Sequence, residues 1–403
     1  MHPSDAPVQT VPGTDAFHPA SPDSSQPQRH VFVDNIRFWS ILSVVAVHCA
    51  YLVTESGPYT RGLREVLAAP WKFGTISFFL ISGFLLGEGL ERRDPREYMA
   101  RRLRRVFVPW LIWYIVGVVV LLAEDILHHR VHITFHLASL RVVVHTAVYC
   151  LFDTAYWFIP NMFFALSILL LFRRYLQDRR FLAVLVAINL FYAVNVYTRW
   201  IPSKHTAALF GFILYLWLGN YAARHSQQLT QWVQRRSRWT LPALTVLTGA
   251  IAFGEGRVLH HLQAPDPLNA MRLSAQIFSV VATLMLFQFR TSIHPRLIDV
   301  RAHTFGVYLL HPIVLAILVE RIRVILDRFP PNEPMAMLVL RVALWACAAV
   351  FTCAICFTAT KLLAMSPSLG WLVGAPPAVA PKPSVVVPAT LAADSLIEGT
   401  GRA

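Results

Sequence analysis

The sequence predicts an all-α protein: a polytopic membrane helix bundle of about ten transmembrane helices. Three observations lead there. Only 14% of the 403 residues are charged and 56% are hydrophobic, whereas soluble domains carry roughly 25% charged residues. So few charges do not cover a water-facing surface of this size. Apolar stretches close to the roughly 20 residues that cross a bilayer recur along the chain. Basic residues, finally, crowd into alternate connections between those stretches. An ordinary cytosolic enzyme and a mostly disordered chain are both excluded.

Taken in order, the spans are expected near 31–53, 73–90, 106–123, 156–172, 181–198, 206–222, 240–253, 273–289, 303–320 and 342–362. Residues 138–152 are apolar but short and contain Arg141 and His145, which suggests an interfacial or re-entrant helix. With ten spans both termini share one side. The connections on that side (91–105, 173–180, 224–238, 290–301) hold 18 Lys and Arg in 50 residues. The opposite connections hold 13 in 98 residues, of which Arg321, Arg323, Arg328 and Arg341 fit the rule least well. Cytoplasmic loops carry the basic excess, so both termini are expected in the cytoplasm. The net charge of +14 is then mainly a topology signal. Nucleic-acid binding is a poor reading, because no zinc-finger spacing or basic-aromatic RNA motif is present.

Outside the spans, residues 1–30 contain six Pro and no apolar run, and read as a disordered cytoplasmic lead-in. Residues 364–403 read as a flexible cytoplasmic tail, rich in Pro, Ala and Val from about Gly374. The membrane domain is thus expected over 31–363. The five cysteines lie in apolar stretches. Cys353-x-x-Cys356 lacks the two further ligands a zinc site needs, and no metal is expected. His128, His129, His132 and His136 cluster in one loop, but no carboxylate completes a site.

Ionisable groups inside a span cost several kcal/mol and are functional candidates by default. Arg37 and His48 are eleven residues apart in the first span. At 100° per residue they differ by only about 20° around the helix, and they lie about 16 Å apart along it. One face therefore runs from an anion-binding group to one able to exchange protons. A run of arginines, Arg101-Arg102-Leu103-Arg104-Arg105, enters the third span ahead of Pro109-Trp110. It exceeds what topology needs, and the planar guanidinium suits phosphate. Ser77, Ser82 and Gly83 lie in the second span, where small residues let helices approach closely. Tyr308-Leu-Leu-His311-Pro312 places a second imidazole beside a helix-bending proline. Soluble-enzyme motifs such as Gly-x-Ser-x-Gly, a phosphate loop or His-Glu-x-x-His are absent.

In their order, these pieces resemble the membrane acyltransferase 3 family. The resemblance rests on Asp34, Asn35, Arg37 and His48, on Phe78 to Phe84, and on Arg102 and Arg105 before Val-Pro-Trp at Pro109. It is completed by Trp157-Phe158 and by Tyr308 to Pro312. It implies an integral-membrane O-acyltransferase of a bacterial-type inner membrane, using an acyl-CoA donor, acetyl-CoA above all, and an extracytoplasmic carbohydrate or glycoconjugate acceptor. By the same resemblance His48 is the catalytic residue, either as general base or as transient acyl carrier. Arg37, Arg101, Arg102 and Arg105 hold the donor, and Asp34, Ser82, Trp157, Tyr308 and His311 line the cavity. The alternative is a transporter or exporter of a polar solute or glycan. Internal repeats would favour it, and none is evident.

Overall fold

The computed structural model describes residues 31–55, 60–87, 94–128, 137–295, 298–329 and 334–375, with side chains from residue 140 in the fourth segment. The expected lead-in 1–30, the histidines at 129, 132 and 136, and tail residues 376–403 lie outside the described residues. Among the described residues there is helix and turn but no strand.

The helices follow the predicted spans. They are α1 (Val31–Val53), α2 (Thr60–Ala68), α3 (Gly74–Leu86), α4 (Pro95–Arg102), α5 (Val108–Leu127), α6 (Leu137–Phe152) and α7 (Phe158–Leu171). Beyond these lie α8 (Arg179–Thr198), α9 (Ile213–Arg224), α10 (Ser226–Gln234), α11 (Thr240–His261), α12 (Leu273–Gln288), α13 (Val300–Asp327) and α14 (Pro334–Met365). Five helical segments are long and apolar enough to cross a membrane: Val31–Val53, Thr60–Leu86, Pro95–Leu127, Arg179–Thr198 and Pro334–Met365. The other five predicted spans fall on α7, α9, α11, α12 and α13, of which α7, α9 and α12 are shorter. Residues 54–72, expected as a connection, instead contain α2 and a 3₁₀ turn at Ala69–Trp71 that feeds α3. The apolar side chains of Leu63 and Leu67 pack on the core while Arg61 and Val66 face out, so this piece is an amphipathic helix.

The bundle is organised around α1, which packs on α2, α3, α12, α13 and α14. Between apolar helices in a bilayer, attraction comes from close packing and hydrogen bonds rather than from water exclusion. The contact of α3 with α9 shows this. A Cβ on Gly83 would strike the Leu216 carbonyl, and one on Gly219 would strike the Leu80 carbonyl, so these two backbones touch through reciprocal glycines. Indoles and phenols tie other helices to carbonyls: the half-buried Trp345 Nε1 donates to Ala46 O (2.9 Å), the buried Trp110 Nε1 to Tyr156 O (3.0 Å) and the buried Tyr308 Oη to Ala155 O (2.7 Å).

Two of the arginines that fitted the charge rule least well have structural partners that account for them. Arg321 reaches both Glu124 oxygens (2.8 and 2.9 Å), and the buried Arg341 donates to the Val53 carbonyl at the end of α1. A cation there satisfies an orphan carbonyl and the negative end of the helix dipole. The ordered body also continues past residue 363. Residues Gly370–Val373 form a 3₁₀ turn whose Leu372 carbonyl accepts from Trp113 Nε1 (3.0 Å), so the expected tail is packed through residue 375.

Candidate active site

The site has two ends, joined by α1. At the first end Arg37 is flanked by charges from three other places. Asp34 stands one turn earlier, Arg102 comes from the end of α4, and Arg301 from the start of α13, all within electrostatic reach of Arg37. The Asp34 carboxylate, 2% exposed, accepts from Arg301 Nε at 3.2 Å. Asn35 fixes the approach to α13: its side-chain nitrogen donates to Thr291 O (2.9 Å) and its oxygen accepts from the Ile293 amide (3.0 Å). The Asp-Asn start of the first span is therefore a clamp that sets Arg301 beside Arg37.

The arginine run divides in two. Between α4 and α5 the chain makes a π-type turn over Leu103–Phe107, a local widening common at functional sites. Pro109 has no N–H to offer the Arg105 carbonyl, which favours such a break. Arg102 turns inward, its Nε donating to the buried Tyr98 hydroxyl (3.0 Å) with the guanidinium over that ring. Arg101 is exposed and pairs with Glu97 at 3.6 Å, and Arg104 and Arg105 are exposed. Of the arginines expected to hold the donor, the fold thus gathers Arg37 and Arg102, adds Arg301, and leaves Arg101 and Arg105 on the rim.

At the other end His48 opens into a cavity of about 520 Å³, which it shares with His311 and Trp157. The two imidazole rings stand 5.5 Å apart. His311 is fully buried, and its Nδ1–H donates to the Val307 carbonyl at 3.1 Å. That bond places a proton on Nδ1; among the described residues Nε2 has no hydrogen-bond partner. Pro312 follows directly and withholds an N–H from the Tyr308 carbonyl, loosening α13 beside this histidine. Tyr156 braces the same turn, its hydroxyl meeting Leu309 O (2.9 Å) and Trp113 O (3.1 Å).

Three side chains expected in this cavity are elsewhere. Asp34 belongs to the arginine end. Ser82 is carried there as well, because α3 runs antiparallel to α1 and brings Phe84 against Phe32 (5.3 Å between rings). Tyr308 lies beneath the cavity, its ring 6.0 Å from His311 and its hydroxyl committed to Ala155. Sequence reasoning missed Lys72, His205 and Asp266, which line the cavity with Tyr51, Arg64 and Trp71. Lys72 sits at the break before α3 and acts electrostatically on both His48 and Asp266. His205 and Asp266 come from connections between helices, where no periodicity or motif marks them. Among the described residues no group of three potential metal ligands gathers.

A bundle of membrane-length helices with charge at one end of its central helix and a polar, aromatic cavity at the other defines a multi-pass membrane protein with an internal site. The chain matches the family model of the acyltransferase domain Acyl_transf_3 over residues 30–361 and belongs to this family. It is therefore a membrane acyltransferase, with an acyl donor and an acceptor as its substrates. No curated protein and no solved structure matches it.

Proposed function

We propose that the protein moves an acyl group, acetyl in the first instance, from cytoplasmic acyl-CoA to a hydroxyl of an extracytoplasmic carbohydrate or glycoconjugate. The observation that carries this reading is the placement of Arg37 and His48 on one helix. Arg37 stands among Arg102 and Arg301, where fixed cations suit the phosphates of coenzyme A. His48 stands on the same helix face about three turns further along, in the wall of a cavity lined also by Trp71, Trp157 and Tyr51, a lining suited to a sugar. The donor would bind at the arginine end with its thioester directed towards His48, and the acceptor would enter from the opposite end. His48 is the catalytic residue and His311 the group behind it. The density of basic residues in the connections supports an inner-membrane orientation with both termini in the cytoplasm.

The test is transfer of label from acetyl-CoA to candidate glycans in membranes containing the protein. Wild type should transfer label, and His48→Ala should reduce transfer at least about a hundredfold at equal protein level, within the range for losing a side chain that acts on the reacting carbonyl. Equal transfer by both would remove His48 from the chemistry. Glycan movement without label transfer would favour the exporter reading.

A further inference from the structure

The cavity holds a third imidazole that the reading above does not use. His205 begins a short 3₁₀ turn (His205–Ala207), and its Nδ1 lies 2.9 Å from Asp266 Oδ2. The two side chains are 22% and 15% exposed, and both line the cavity that His48 enters. The arrangement is built from several sides. Lys204, the preceding residue, pairs with Asp153 at 2.6 Å. The Asn269 side chain donates to the Ser203 carbonyl, while the Asn269 amide bonds to the Asp266 carbonyl (3.1 Å), so the two connections that carry the dyad are stitched together. Trp157 stands edge-on to the His205 ring at 5.4 Å.

The charges around the pair favour one protonation pattern. Burial alone pushes the Asp266 carboxyl up, but the hydrogen bond from His205 and the nearby cations Lys72 and Arg272 outweigh it and hold the group below the usual carboxylate range. The carboxylate therefore takes the Nδ1–H of His205. Nε2, for which no described residue supplies a hydrogen bond, is left as the basic nitrogen facing the cavity. A base held in its tautomer by a carboxylate is the arrangement that activates a hydroxyl.

We propose that His205, oriented by Asp266, is the general base for the acceptor hydroxyl. This rests on the acyltransferase reading given above. In the step, the acceptor oxygen attacks the acyl carbon and a C–O bond forms. The hydroxyl proton passes to His205 Nε2 and from there to water in the open cavity. The carbon–sulfur bond of the thioester breaks, and its electron pair leaves on sulfur as the coenzyme A thiolate. His48 and His311 are thereby left to hold and polarise the acyl group at the buried end.

The experiment compares wild type, His205→Ala, His205→Gln and Asp266→Asn in the full-length protein in membranes, with labelled acetyl-CoA and a series of acceptors whose hydroxyls differ in acidity. His205→Ala should lower transfer by about 10²–10⁴-fold, the usual range for a general base. The loss should be smallest for the most acidic hydroxyl, which needs a base least, and added imidazole should restore part of the rate. His205→Gln should not recover activity. Asp266→Asn should lower kcat while leaving the donor KM unchanged. A uniform loss across the acceptor series without imidazole rescue, or wild-type transfer by His205→Ala, would overturn the proposal. A wild type that transfers no label to any acceptor would overturn the acyltransferase reading itself, and the dyad's role with it. Those two failures are told apart by the wild-type control.

Discussion

Arg301 offers the sharpest test of the donor end, because no local pattern pointed to it. Replacing it by Gln removes one cation from the group around Arg37 and also the 3.2 Å partner of Asp34. Hydrogen bonds to charged groups contribute about 1.5–3 kcal/mol. The Arg301 side chain is 43% exposed and partly committed to Asp34, so solvent screening brings its share towards the lower limit. About 1.4 kcal/mol corresponds to a tenfold weaker donor. Arg301→Gln should therefore raise the acyl-CoA KM roughly tenfold, with kcat nearly unchanged, since the lost contact is made equally in ground and transition states. Arg102→Ala should act in the same direction. Arg105→Ala, on the exposed rim, should have a smaller effect. The assay is initial-rate transfer in membranes at varied donor concentration. A fall in kcat at constant donor KM for Arg301→Gln would refute the assignment. A thermal shift alone would reduce Arg301 to a structural partner of Asp34.

Three further outcomes are expected. Gly219→Val should collapse the α3–α9 contact, because the new Cβ meets the Leu80 backbone carbonyl, an obstacle no rotamer change relieves. Overpacking of this kind costs about 1–3 kcal/mol or more, and it should show as lost monodisperse protein in fluorescence-detected size exclusion. Gly254→Ala, where a Cβ meets nothing within 4 Å, should behave as wild type. The Asp266 carboxyl is depressed to about 2, so its pairing contributes stability that is fully present above the ordinary carboxylate range and is lost only as pH falls towards 2. Amide protection across residues 262–272, corrected for the pH dependence of intrinsic exchange, should therefore be the same at pH 7 and pH 5. Opening of that connection between those values would contradict the pairing.

Most of the fold was legible because bilayer physics leaves few options: helical stretches of fixed length with a side-dependent charge. Arg37, His48 and His311 were legible for the same reason, as each is a polar group in an apolar context that demands an explanation. Arg102 stood out only as part of a run, and its separation from Arg101 and Arg105 depends on the π-type turn, which composition does not reveal. Ser82 was misplaced because a small residue in a span signals close packing as readily as a cavity. Here Gly83 beside it does the packing. Lys72, His205, Asp266 and Arg301 were not legible at all. Each lies at a helix end or in a connection, where a charge is unremarkable, and only the tertiary fold brings them to the site.

The single unbroken helix between Arg37 and His48 has one more consequence. Two groups on one rigid rod keep a constant separation, about 16 Å from the helix rise, whatever the rest of the bundle does. With the donor bound as proposed, such a rod would act as a gauge for it, accepting a thioester whose reactive carbon lies that far from its anionic handle. A short thioester such as acetyl-N-acetylcysteamine carries the same reactive group but no handle to set against the far mark. It should be a poor donor even at concentrations that saturate acetyl-CoA.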